Sequence, residues 1–327
     1  MEQLSCTEVK PQCPVDGSPL GYPPNLAASV VFTTLFGISI IGHIVLGWKY
    51  KTWAFLIAML LGLSIETLGY LGRVSMHFNP YNLNSLLIQI VALSIAPTFY
   101  NAGLYLCLSK IYMQQLIEHS INRYGEDISR FRPIWYTRFF ISCDIISLTL
   151  QTTGGGIVSS SARQTKTNLG NHILLAGLTF QIISLVFFAA ACIDLTLRIR
   201  TYPLRKNPRN KALRGDFRFR GFLWAAVVSF SAIFIRCVYR VIELGGGWNP
   251  ASNHLMREET PFILLESCMI TIAVFALLVF HPGYGHQYPF DKPPYESTNG
   301  TLTAAGSKDS IPWSTSSNSV SLYSCNF

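Results

Sequence analysis

In the stretch FIRCVYRVIELGGG, Arg236, Tyr239, Arg240 and Glu243 stand at i, i+3, i+4 and i+7, one stripe on one face of a helix. Their neighbours are apolar, so the stripe lies inside a hydrophobic run that begins near Gly221. Guanidinium groups take carboxylates or phosphates as planar forks, and carboxylates take ammonium groups or share hydroxyl hydrogens. The chemistry of such a stripe is ion pairing and head-group recognition. Other apolar runs carry matching groups. Glu66 stands in LGLSIETLGYLGR, Asn101 in SIAPTFYNAGLYL and Gln181 in AGLTFQIISL. Asp144 and Gln151 are seven residues apart in FFISCDIISLTLQTTGGG, and Glu259 and Glu266 are seven apart in the last run, so each pair shares a helical face.

These residue types do not assemble a hydrolytic or metal site. Of seven histidines only His43 lies well inside an apolar run, whereas a zinc-dependent seven-helix lipid hydrolase needs several converging on the metal. No glycine-rich phosphate loop ending in Gly-Lys-Ser/Thr occurs, which argues against direct driving by ATP. The expectation is a protein with no catalytic residue, no metal and no cofactor.

The elements that must position the polar groups follow from composition. The 327 residues are half hydrophobic and 13% charged, with a mean hydropathy of +0.32, against about a quarter charged in a soluble domain. Apolar runs long enough to cross roughly 30 Å of hydrocarbon recur along the chain. They lie near 26–47, 53–72, 83–106, 134–158, 172–195, 221–243 and 259–280, punctuated by Trp48-Lys49, Asn79-Pro80 and His281-Pro282-Gly283. The expected fold class is an all-α integral membrane protein, a seven-transmembrane-helix bundle. Residues 1–25 form an N-terminal segment, 26–283 the membrane domain and 284–327 a Pro-, Ser- and Thr-rich tail too polar to bury a core.

Seventeen of the 25 Lys and Arg side chains fall in the connections after the first, third and fifth runs and in the tail. The positive-inside rule then puts the N-terminus outside and the C-terminus in the cytosol. The densest basic run, RIRTYPLRKNPRNKALRGDFRFR, either only fixes topology, the plainer reading, or also offers anionic headgroups of the inner leaflet a surface. Nothing near it resembles a nucleic-acid module. Cys107, Cys143, Cys192, Cys237 and Cys268 sit in or beside apolar runs as free thiols, and only Cys6 and Cys13 face an oxidising compartment, where pairing and remaining free are both open.

An Arg at the centre of a span costs about 2.5 to 3.5 kcal/mol, and two unpaired ones roughly 5 to 7. At about 1.5 Å per helical residue, Glu66, Asp144, Gln151, Gln181, Arg236, Arg240, Glu243 and Glu266 share a layer from the midplane to the outer half of the bundle. Packed together, the helices bring them into one polar chamber. Acids outnumber arginines there, which calls for protonated carboxyls or a cationic guest. The plainer alternative is a set of ion pairs that only fasten helices together. Pro97 and the glycines 154–156 and 245–247 are expected to bend or loosen helices, although a triple glycine at a helix end also serves as a cap and loop.

The set APTFYNAGLYL, FFISCDIISLTLQTTGGGI, GLTFQIISL, FIRCVYRVIELGGG and the HPG after the last run resembles the fungal lipid-translocating exporters, the RTA-like proteins, from about Tyr22 to Gly283. The resemblance implies seven spans with the N-terminus outside, and movement of lipid-like molecules between leaflets or out of the cell. It maps the family's span-six Arg, Tyr-Arg and Glu onto Arg236, Tyr239-Arg240 and Glu243, and its span-four Asp and Gln onto Asp144 and Gln151. In span seven it implies a Glu, an aromatic-rich stretch and an Asp, where this chain has Glu259, Phe262-Ile263-Leu264-Leu265 and Glu266.

The reading favoured by residues and resemblance together is an exporter, most naturally in the plasma membrane, of an amphiphile such as a sphingoid base or sterol-like amine. Its substrate-binding residues are Glu66, Asn101, Asp144, Gln151, Gln181, Arg236, Tyr239, Arg240, Glu243 and Glu266. The alternatives are a transporter of a porphyrin- or heme-type amphiphile, and a seven-helix lipid receptor or sensor signalling through its basic loop and tail. The partners are lipids or amphiphilic small molecules, with no nucleic acid, and the oligomeric state is open.

Overall fold

The computed structural model describes residues 18, 20–121, 133–160, 164–201, 217–246, 255 and 258–283. Cys6, Cys13, residues 202–216 of the basic run and the tail from 284 onward lie outside the described residues.

Among the described residues seven long helices follow one another: α1 (Leu26–Tyr50), α2 (Trp53–Phe78), α3 (Leu83–Ile121), α4 (Pro133–Ser160), α5 (Gln164–Thr201), α6 (Phe217–Gly245) and α7 (Glu259–Val279). All but α4 are long and apolar enough to cross a membrane. At 28 residues, about 42 Å, α4 has the length. Its Asp, Gln and runs of Ser, Thr and Gly make it too polar by composition.

The burial pattern is inverted relative to a soluble protein. Ile41, Val45, Leu71, Phe187, Trp224, Val227 and Ile242 face outward, while Glu66, Asn101, Asp144, Gln181, Arg236, Arg240 and Glu266 are buried. Water cannot sit against such a surface without cost, whereas hydrocarbon can, and polar groups are then driven to the interior where they find partners. On α6 the stripe points inward and Ile235 and Ile242 point out, as the spacing requires.

The helices pack as a ring of sequence neighbours, most extensively α2 with α3 and α4 with α5, and α3 reaches across to α6. The central position of α3 matters for the site. Pro97 lies inside this helix without ending it.

The glycines of α4 depart from the expectation. None of Gly154, Gly155 and Gly156 ends the helix, which runs on to Ser160. A side chain at Gly154 would meet the Leu174 amide nitrogen at 2.5 Å and the Gly170 carbonyl oxygen at 2.7 Å, so its bare Cα lets α4 and α5 approach backbone to backbone. Gly155 lies against the Val91 side chain, and Gly156 has nothing within 4 Å. The first of the three is a packing device rather than a loosening one.

Ser18 and residues 20–25 are folded onto the end of the bundle where α1 begins, here the amino-terminal face. Gly21 takes a positive φ of 74°, which turns the chain inward. Leu20 is thereby buried with Met76, Leu86, Ile90, Leu174, Leu178 and Leu244. His77 Nδ1 lies 2.7 Å from the Pro24 carbonyl oxygen, and the Asn25 amide donates to Glu259 Oε1 at 2.7 Å.

Cys143, Cys237 and Cys268 are free thiols.

Candidate functional site

The α6 stripe meets carboxylates and carbonyls from three other helices. Arg236 Nη2 donates to Glu266 Oε1 of α7 at 2.7 Å and lies 3.8 Å from Glu66 Oε1 of α2. It also donates to the Leu93 carbonyl of α3. That carbonyl is available for a reason legible in the sequence. Pro97 has no N–H, so the carbonyl one turn earlier loses its helical partner, and the guanidinium supplies one. Arg240 Nη1 donates to Glu243 Oε2 at 2.6 Å, its Nη2 to the Ile90 carbonyl at 3.0 Å and its Nε to Ser94 Oγ at 3.3 Å. Three carboxylates thus face two guanidiniums. Glu266 reaches this layer from a seven-residue π-helical stretch, Phe262–Cys268, within which Ser267 accepts a 2.5 Å hydrogen bond from the Tyr70 hydroxyl. Such π-turns often mark functional positions.

A second network joins α3, α4 and α5. Gln181 Nε2 donates to Thr98 Oγ1 at 3.1 Å, and Gln151 Nε2 donates to Gln181 Oε1 at 2.8 Å and to Ser147 Oγ at 2.7 Å. Ser147 in turn donates to the Gly177 carbonyl at 2.8 Å.

The remaining expected residues are buried but stand apart. Among the described residues, neither carboxylate oxygen of Asp144, neither amide atom of Asn101 and not the Tyr239 hydroxyl has a hydrogen-bond partner. Asp144 faces the Tyr105 hydroxyl of α3, near enough to interact with it but outside strict hydrogen-bond geometry. The structure therefore brings Glu66, Arg236, Arg240, Glu243 and Glu266 into one cluster and Gln151 with Gln181 into another. It leaves Asp144, Asn101 and Tyr239 outside both.

What connects them lies on α3. Ser94, Thr98, Asn101 and Tyr105 stand at i, i+4, i+7 and i+11, all of them buried, and the Ile90 carbonyl extends the row by one turn. From Ile90 to Tyr105 the row is about 22 Å long, most of the roughly 30 Å of a hydrocarbon core. It touches Arg240 at one end, Gln181 in the middle and Asp144 at the other. Of this row only Asn101 stands out in the sequence as a candidate. The signal was present as helical spacing of Ser, Thr, Asn and Tyr, each unremarkable alone in an apolar run.

A further group at the amino-terminal face was also missed. Arg73 of α2 is buried, donates to Glu259 Oε1 at 2.8 Å and to the Tyr22 hydroxyl at 3.3 Å, and stacks 4.0 Å over the Phe262 ring. Burial pushes the Tyr22 phenol up from its ordinary range, and the Arg73 guanidinium pulls it the other way. Glu259 thus binds the N-terminal segment rather than the arginine cluster. Among the described residues no three His, Cys, Asp or Glu side chains converge as a metal site would require. His43 packs between Phe55 and His281, at ring distances of 5.9 and 6.2 Å.

The sequence matches the family described as RTA1 like protein over residues 59–288. A protein of Saccharomyces cerevisiae named sphingoid long-chain base transporter RSB1 is 31% identical over 292 residues, covering 81% of this chain and 73% of the relative. Protein RTA1 of the same species is 27% identical over 286 residues, covering 80% of this chain and 84% of that one. A lipid-translocating exporter-like protein RTA1 of Leptosphaeria maculans is 24% identical over 309 residues, covering 88% of this chain and 55% of its own length. No solved structure matches.

Proposed function

Because this chain belongs to the RTA1-like protein family, we propose that it is a multi-pass membrane exporter that moves a lipid-like amphiphile along the buried polar row of α3. The family's transporter and exporter names support lipid transport in general, and a non-enzyme. The observation that carries the finer reading is the row itself. It is a line of buried polar groups about 22 Å long, flanked by charged residues of α6 at one end and Asp144 at the other. Fastening helices is a weak reason to keep it, since interhelical hydrogen bonds in membranes average only about 0.6 kcal/mol. A head group exchanging partners along the row stays solvated by protein, while its tail lies in lipid or between helices.

In this reading α4 is the seventh span, kept polar because it faces the row. Its Gln151, Ser147 and Asp144 all point inward. The basic connections support an N-terminus outside, which puts the arginine cluster toward the outer leaflet and makes the plasma membrane the natural site of export. The cargo is a sphingoid base or sterol-like amine, whose ammonium group the surplus carboxylates suit. With no phosphate loop in the sequence, export against a gradient draws on a proton, another ion or a partner protein.

The test is flux of a labelled sphingoid base across proteoliposomes containing the full-length protein, beside an Arg240→Ala variant of equal folded yield. The variant loses several charge-assisted hydrogen bonds at about 1.5 to 3 kcal/mol each, so its flux should fall roughly tenfold or more. Saturable binding without flux would point instead to a lipid sensor. Neither binding nor flux would leave the cluster as a helix fastener.

A further inference from the structure

The arginine cluster does not account for every acid in the bundle. Glu66, Glu243 and Glu266 each lie against a guanidinium, but Asp144 does not. It is 2% exposed, and among the described residues both its oxygens lack hydrogen bonds. An ionised carboxylate so placed costs several kcal/mol unless a counter-ion joins it.

Its surroundings are aromatic. The Tyr105 ring beside it lies 4.3 Å from that of Phe188 and 5.9 Å from that of Phe140. Phe188 is 5.2 Å from Phe140 and 5.9 Å from Phe230. Rings from α3, α4, α5 and α6 therefore converge at the level of the Asp144 carboxylate. Aromatic faces attract cations, most strongly where water is excluded, and rings grouped beside a carboxylate are the recurrent receptor for ammonium groups. Among the described residues no guanidinium lies against Asp144, which disfavours a carboxylate or phosphate.

We propose that Asp144, with Tyr105, Phe140, Phe188 and Phe230, forms an ammonium-binding site at the end of the α3 row remote from the arginines. This rests on the reading above that the cargo is an amine-bearing amphiphile, and it gives the ammonium group its place. Asp144 accepts N–H bonds from the ammonium, the rings cover its remaining faces, and the Tyr105 hydroxyl hydrogen-bonds the carboxylate or a neighbouring cargo hydroxyl. The amine then has a defined place at one end of the row, and the arginine cluster receives other polar parts of the cargo at the opposite end.

The experiment measures equilibrium binding of a labelled sphingoid long-chain base and of its uncharged N-acetyl derivative to the full-length protein, wild type and Asp144→Asn. Losing one desolvated charge contact should weaken binding of the amine by about 10- to 100-fold and leave the N-acetyl compound unchanged. Asp144→Glu should keep the preference for the amine. Phe188→Leu, which keeps apolar bulk but loses the ring face, should weaken amine binding several-fold, and it supplies the test if Asp144→Asn does not fold. Equal losses for both compounds would make Asp144 a proton carrier or a structural residue and overturn the assignment. So would no loss for either, or a wild-type protein without preference for the amine. A wild type that binds the amine selectively yet carries no flux would overturn the transport reading and leave this site standing.

Discussion

Arg236→Ala should remove most of the folded protein. The guanidinium is buried and bonded to Glu266, to the Leu93 carbonyl and, at longer range, to Glu66. Truncating it leaves two buried carboxylates without their direct ion-pair partner, with Arg240 only at longer range, and the Pro97-freed carbonyl without a donor. Breaking one side of a buried ion pair costs about 3 to 5 kcal/mol, a large share of the roughly 5 to 15 kcal/mol that holds an ordinary domain together. The check is folded yield and thermal stability in detergent. Arg236→Lys keeps the charge but not the planar fork and should fall between alanine and wild type. Adding Glu266→Gln to Arg236→Ala should cost less than the sum of the single changes, because it removes one of the stranded charges.

Gly154→Ala should be nearly as damaging, and Gly156→Ala should be harmless. The methyl group at 154 would collide with backbone atoms of Gly170 and Leu174, which cannot rotate aside. Overpacking of this kind costs about 1 to 3 kcal/mol where side chains can yield, so a backbone clash belongs at or above the upper end. α4 and α5 would separate, and the Gln151–Gln181 bond between them would stretch with them. At position 156 the new methyl meets nothing within 4 Å, and the gain in helix propensity of up to about 1 kcal/mol should raise stability slightly. Thermal unfolding of the two variants side by side reads opposite shifts from residues two positions apart. Equal effects would show that α4 and α5 do not approach through Gly154.

The sequence carried the bundle, the inward face of α6 and the common layer of Glu66, Arg236, Arg240, Glu243 and Glu266. All of these depend on hydropathy and on the fixed 3.6-residue period. It did not carry which acid pairs with which arginine, because that depends on how neighbouring helices rotate and slide. Asp144 and Glu266 look equivalent as isolated acids in apolar runs, yet one is paired and the other is not. Two signals were present and went unread. Pro97 marks Leu93 as a free acceptor, and Ser94, Thr98, Asn101 and Tyr105 share one face. Folding of residues 20–25 onto the bundle was not legible either, since Leu20 and Tyr22 are two apolar groups in a segment otherwise polar enough to stay in water.

The central claim is that cargo occupies the α3 row, and photolabelling tests it most directly. Full-length protein in liposomes would be crosslinked with a long-chain amine bearing a photoreactive group beside its head, and the adducts placed by peptide mapping. The account predicts labelling of Ser94, Asn101, Tyr105 and their neighbours on α4 and α6, displaced by excess unlabelled amine. Adducts confined to outward-facing positions such as Ile38, Ile41 and Val45 of α1, unaffected by competitor, would contradict it.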